Sequence, residues 1–341
     1  MLGLEALIEV SLFNHQLTLW SLRVFRTILY EETQCCVVLL LEDFLIVIGL
    51  IVFEVVNSVD NAIVNAHTLQ TMGALWRRRF LIIGILTSVF LVRFILPLFI
   101  VWISVPNLTL AGLLGNFSGA SNTAAEAIQA QKPVILMFGG VFLLYLYFHW
   151  LFLEKKEPLY IERYLKAKHG VWFFGFAAVI LVLVMFLARA NSTMMLAAAI
   201  GSATFFLLYG LKETAESTEQ KAESPQMSDV SKFIYLEVLD AAFSFDGVVG
   251  SFAFTINLLL IFIGIGVGAI VVRQLTVKGI DKVAKYRYLK NGALTSIGFL
   301  GVFMLVEAFG IELPSYVPIL VTLLLVGVAF WKSRQLIAKE H

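Results

Sequence analysis

The chain has 341 residues, 60% hydrophobic and 14% charged, with a net charge of +1 and a mean hydropathy of +0.89. A soluble domain is about a quarter charged, so these values describe a polytopic membrane protein. No basic face stands out from the loop charges, which argues for no nucleic-acid partner.

In residues 1 to about 36 no apolar run reaches the length of a span, because Arg23, Arg26, Glu31 and Glu32 interrupt them; the 1–43 segment reads as interfacial and amphipathic, not as a signal peptide. Cys35 and Cys36 are adjacent, which rarely permits a disulfide, and they read as structurally neutral. His15, His67, His149, His169 and His341 show no zinc-type spacing. The first apolar stretch, 44–73, is followed by stretches at 80–103, 133–153, 171–188, 193–211, 233–255, 257–273, 291–309 and 316–332, nine spans in all. The 212–232 segment is polar and charged and reads as a cytoplasmic linker between a first membrane half, 44–211, and a second, 233–341.

Lys and Arg sort the loops. Arg77, Arg78 and Arg79 follow the first span, and Lys155, Lys156, Arg163, Lys166 and Lys168 follow the third, whereas 104–132 holds only Lys132 and 310–315 none. Positive loops favour the cytoplasm, so parity puts the C-terminus there, in a multi-pass protein of the cell membrane.

Two of the spans carry nearly the same motif. Glu54-Val55-Val56-Asn57-Ser58-Val59-Asp60-Asn61 and Asp240-Ala241-Ala242-Phe243-Ser244-Phe245-Asp246-Gly247 both read as an acid, three residues, a serine, one residue and an aspartate. By parity the two spans run in opposite directions. A second matched pair, Gly84-Ile85 with Val92-Arg93 and Gly264-Ile265 with Val272-Arg273, also lies on opposed spans. The match of Gly84–Ser88 with Gly292–Ser296 joins spans of the same direction and is assigned to chance. The expected architecture is an all-α transmembrane bundle with an inverted-topology repeat and helices interrupted at the midplane.

Carboxylates at bilayer depth are costly and mark ion or substrate pathways. On a helix Glu54, Ser58 and Asn61 share a face, with Asp60 turned away; Asp240, Ser244, Gly247 and Asp246 repeat the pattern. For both acids to reach one ion, the helix must loosen at the serine and free backbone carbonyls as ligands. Glu54, Ser58, Asp60, Asn61, Asp240, Ser244 and Asp246 then form a set of hard oxygen donors suited to Mn²⁺, Mg²⁺ or Ca²⁺ as substrate, with no organic cofactor. Arg93 and Arg273 balance the charge by pairing with acids in the empty state, and Glu237, one turn before Asp240, extends the site or faces the vestibule. The bland alternative is that acids and arginines only hold helices together. It weakens when the pattern recurs on two opposed helices.

These two motifs, with Arg93-Phe94-Ile95-Leu96-Pro97, Phe138-Gly139-Gly140-Val141-Phe142-Leu143-Leu144 and Gly266-Val267-Gly268-Ala269-Ile270-Val271-Val272-Arg273, make residues 44 to 335 resemble the TerC-like integral membrane proteins of the LysE-type exporter superfamily. The resemblance implies metal-ion homeostasis, including manganese export. Where relatives carry an acid and two histidines, this chain has Lys290, Asn291 and Leu294, so no role transfers there. The expected function is a non-enzymatic exporter of a divalent cation, working in a bilayer and able to form oligomers. Competing readings are a membrane scaffold for a metal-stress complex and an intramembrane aspartyl protease using Asp60 and Asp246; the latter lacks both the Gly-x-Gly-Asp context and a tyrosine before either aspartate.

Overall fold

The computed structural model describes residues 40–84, 87, 92–106, 108–109, 111–112, 122–154, 156–160, 170–222, 227–278 and 285–340. The side chains of Asp60, Asn61 and His67 lie outside the described set, as does the N-terminal segment up to residue 39. Met1–Leu45 and Ile46–His341 are separate compact units, and the helical bundle is the second.

The described residues are helical with no strand: α1 (40–57), α2 (Val59–Gln70), α3 (Ala74–Gly84), α4 (Arg93–Ser104), α5 (Asn122–Ala130), α6 (Lys132–Leu153), α7 (Gly170–Leu187), α8 (Ser192–Ala222), α9 (Asp229–Ser251), α10 (Leu258–Lys278), α11 (Leu289–Ala308) and α12 (Tyr316–Glu340). Five of them, α6, α8, α10, α11 and α12, are long and apolar enough to cross a membrane, so the chain reads as a multi-pass membrane protein. The other expected spans differ for identifiable reasons. Span 171–188 is the shorter apolar α7; within span 80–103 the described helices are α3 and α4; and α9 carries Asp229, Lys232, Glu237, Asp240 and Asp246, which lower its hydropathy.

At the centre, α6 packs between α8 and α11. Its Phe142, Tyr145 and Trp150 are almost wholly buried, Phe142 and Tyr145 meet the ring of Phe205 on α8, and the Tyr145 hydroxyl donates to the Ala177 carbonyl of α7. Small residues let the backbones close up, since a Cβ on Gly201 of α8 would lie 2.4 Å from the Phe138 carbonyl oxygen. Outer faces are apolar: Trp172, Phe174, Val179, Val182, Leu183 and Phe186 of α7 are exposed, as a lipid-facing helix requires.

The motif helices cross in a definite sense. Along α1, α2 and the turn after them, Phe53 meets Gly250, Glu54 meets Gly247, Thr71 accepts from Lys232 and the Gly73 amide donates to Asp229. Rising numbers on one side pair with falling numbers on α9, so the helices are antiparallel. Two further contacts run in parallel. Leu50 and Glu54 of α1 lie against Gly264 and Gly268 of α10, while Phe80 and Gly84 of α3 lie against Phe233 and Glu237 of α9.

The sequence leads one to expect a loosened helix at both serines, and the two copies differ. α1 and α2 are separated at Ser58 alone (φ −92°, ψ 4°), and hydrogen bonds of 3.0 Å from Ser58 N to Glu54 O and from Ala62 N to Ser58 O carry the ladder across it. At Ser244 α9 is unbroken. The Ser244 hydroxyl donates to the Asp240 carbonyl one turn back, at 2.5 Å, so the side chain is satisfied inside the helix. The segment expected as a linker begins as helix, because Lys212–Ala222 continues α8.

Candidate functional site

Glu54 is fully buried on α1. Its Oε1 accepts from Arg93 Nη2 at 2.7 Å, Arg93 Nε at 3.0 Å and Ser58 Oγ at 3.0 Å. The same burial leaves Oε2 without a hydrogen-bond partner among the described residues. Arg93 is the first residue of α4 and is itself buried, and Asp240 acts on it electrostatically as well as Glu54.

The second copy forms a looser version of this pair. Arg273 Nη1 donates to Asp240 Oδ2 at 3.2 Å, and Nη2 donates to the Phe80 carbonyl at 2.7 Å and to Glu237 Oε1 at 3.3 Å. The guanidinium lies 3.8 Å from the centre of the Phe80 ring, and the Thr87 hydroxyl donates to Glu237 Oε2. Each arginine therefore rests on the first acid of its own half, with Glu237 joining the second pair. The serines part company because aspartate is one methylene shorter than glutamate. Ser58 reaches the carboxylate, whereas Ser244 reaches a backbone carbonyl.

Asp246 has a different partner, Lys212 of α8, whose Nζ lies 2.6 Å from Oδ2. Its Oδ1 is buried with no hydrogen-bond partner among the described residues. Asp246 also lines a cavity of about 700 Å³, together with Asn57, His149, Tyr209, Lys212 and Lys290. Lys212 is the residue that sequence reasoning misses, because the polar segment it opens reads as a loop. The signal is present in Lys212-Glu213-Thr214-Ala215-Glu216, whose helix-forming residues favour continuing α8 beyond the apolar run.

The described oxygen donors do not converge on one point. No group of three or more His, Cys, Asp or Glu among the described residues could hold a metal, and Glu54, Asp240 and Asp246 each face their own cation. Asp60 and Asn61, the remaining members of the expected set, lie outside the described side chains. Closest to a junction is Gly247, where a Cβ would lie 2.4 Å from Glu54 Oε2 and 3.7 Å from Asn57 Nδ2. Gly247→Ala should therefore displace the Glu54 carboxylate from Arg93 and lower stability by about 1–3 kcal/mol, the usual range for overpacking. Thermal unfolding of the purified protein checks this; an unchanged midpoint means that the carboxylate has room to move.

Neither the curated proteins nor the solved structures hold a match to this chain. Residues 59–339 match the family described as "Protein of unknown function (DUF475)", a range that takes in Asp60, Arg93, Lys212, Asp240, Asp246 and Arg273 and starts just after Glu54 and Ser58. That match does not name the TerC-like proteins. Since it spans well over half of the sequence, the chain belongs to the DUF475 family.

Proposed function

We propose that this protein is a transporter that exports a divalent metal cation, manganese by the TerC-like resemblance, along a path of buried carboxylates. Glu54, Ser58, Asp60, Asn61, Asp240, Ser244 and Asp246 supply the oxygen donors, and Arg93 and Arg273 hold the charge balance when no ion is bound. The observation that carries this reading is a pair of carboxylate oxygens, Glu54 Oε2 and Asp246 Oδ1, both buried and both without a hydrogen-bond partner among the described residues. Buried polar atoms are normally paired, and an anionic oxygen left over in an apolar bundle is suited to a cation.

An inverted repeat accounts for the packing. If α1 corresponds to α9 and the α3–α4 region to α10, then α1 lying parallel on α10 is the counterpart of α9 lying parallel on α3. The local departure from helix at Ser58 supplies the hinge at which a motif helix would open towards an ion. The C-terminus is cytoplasmic in this reading, and the membrane is the cell membrane.

The test is metal uptake by proteoliposomes holding the purified protein, run with Mn²⁺, Ca²⁺, Mg²⁺ and Zn²⁺. Saturable Mn²⁺ flux that exceeds Zn²⁺ flux is expected from an all-oxygen donor set. Absence of flux with every ion removes the transporter reading and leaves the scaffold.

A further inference from the structure

We propose that Lys212 is a tethered competitor for the transported cation, holding the Asp246 carboxylate until a divalent ion displaces it. This rests on the transport reading and names the group that sets affinity at its site. Three features carry it. Lys212 Nζ is 2.6 Å from Asp246 Oδ2, with the two side chains only 15% and 9% exposed, so the ammonium stands where a cation bound to this carboxylate would stand. The other oxygen, Oδ1, has no hydrogen-bond partner among the described residues, so a second ligand atom is already in place. And the pair borders the cavity of about 700 Å³, which is large enough to admit a hydrated ion and into which the lysine can withdraw.

The three buried acids differ in the kind of cation that holds them. Glu54 and Asp240 are held by arginines, whose planar forks place several donors at once, on Glu54 Oε1 in the first case and on Asp240, Glu237 and the Phe80 carbonyl in the second. Asp246 is held by a lysine, a compact and strongly hydrated point charge on a flexible stem. Of the three, it is the partner best made to leave. Glu213 and Glu154 also line the cavity, the latter paired with Lys290 at 2.7 Å, so a displaced ammonium stays beside other carboxylates. An ammonium and a divalent ion on one carboxylate repel each other strongly in a poorly screened site, so arrival of the ion favours departure of the lysine.

Displacement also sorts ions by charge. A tethered group competes at an effective concentration of about a millimolar or more, and the doubled charge of a divalent ion gives it a stronger attraction to the carboxylate than a monovalent ion has. From Asp246 the path inward is short. Gly247 is the next residue of α9, and a Cβ there would lie 2.4 Å from Glu54 Oε2 and 3.7 Å from Nδ2 of Asn57, which itself lines the cavity.

The experiment measures Mn²⁺ binding by calorimetry on the purified protein and Mn²⁺ flux in proteoliposomes, for the native chain, Lys212→Gln and Lys212→Arg. Lys212→Gln should bind Mn²⁺ about tenfold tighter or more and become sensitive to competing Na⁺, since the tethered competitor is gone. Lys212→Arg keeps the charge and the pairing but holds Asp246 with a fork, and should bind several-fold more weakly. A merely structural ion pair would not move affinity in opposite directions in the two variants. If Lys212→Gln binds Mn²⁺ no tighter than the native chain, the proposal is overturned, and native flux then shows that the transport reading stands without it. If Lys212→Gln gains affinity while no protein carries flux, the competitor survives and transport is what fails.

Discussion

Arg93→Ala should lower the stability of the protein by about 3–5 kcal/mol, the range for removing one partner of a buried ion pair. Glu54 is fully buried, and two of the three hydrogen bonds to its Oε1 come from Arg93. Without the guanidinium the carboxylate keeps only the Ser58 hydroxyl on that oxygen, and an apolar bundle offers no ready replacement for a lost charge partner. The expected signature is therefore non-additive. Glu54→Gln in the Arg93→Ala background should recover much of the lost stability, because it removes the stranded charge, whereas additive losses would mean that the two side chains act independently. Thermal unfolding of the four proteins in one detergent measures the cycle. A native-like midpoint for Arg93→Ala alone would mean that water reaches the pair.

Asp246→Asn, the second large effect, should reduce Mn²⁺ flux by at least about tenfold, the equivalent of about 1.4 kcal/mol of lost binding. The amide keeps the shape and one oxygen but not the charge on which divalent ions depend. Asp60→Asn is expected to do the same from the other motif. The Lys212 contact changes the stability side of this prediction. Because Asp246 carries an ammonium at 2.6 Å, neutralising it leaves Lys212 without its carboxylate, and the single variant should be less stable. Asp246→Asn with Lys212→Gln removes both charges, so it should regain stability without regaining flux. Flux in that double variant would show that the ion path lies elsewhere.

Much of the arrangement is legible in the sequence because it depends on residue types at fixed spacings. The two acid–serine–aspartate motifs and the matched Gly-Ile…Val-Arg stretches mark Glu54, Asp240, Arg93 and Arg273, and in the fold Arg93 lies on Glu54 and Arg273 on Asp240. What is not legible depends on how far helices extend and on which neighbours they meet. Lys212 looks like a loop charge because the apolar run ends at Leu211, yet backbone hydrogen bonding does not stop where hydrophobicity does, and α8 carries the lysine to Asp246. The helix at Ser244 stays closed because its hydroxyl finds the Asp240 carbonyl, a choice that spacing cannot foresee. Glu237 can be read from sequence as part of the site or of its vestibule; it shares Arg273 with Asp240 and takes Thr87 from the region before α4.

The parallel contacts of α1 with α10 and of α3 with α9 join helices from opposite ends of the chain. Glu54 is wedged against Gly247 and Gly268, and Gly84 against Glu237 and Arg273, so each half grips the other at the residues that carry its charge. The mechanical units are consequently not the sequence halves. A tilt of either motif helix would press on a helix of the other half at these contacts, so Glu54 and Glu237 are braced from both halves of the sequence.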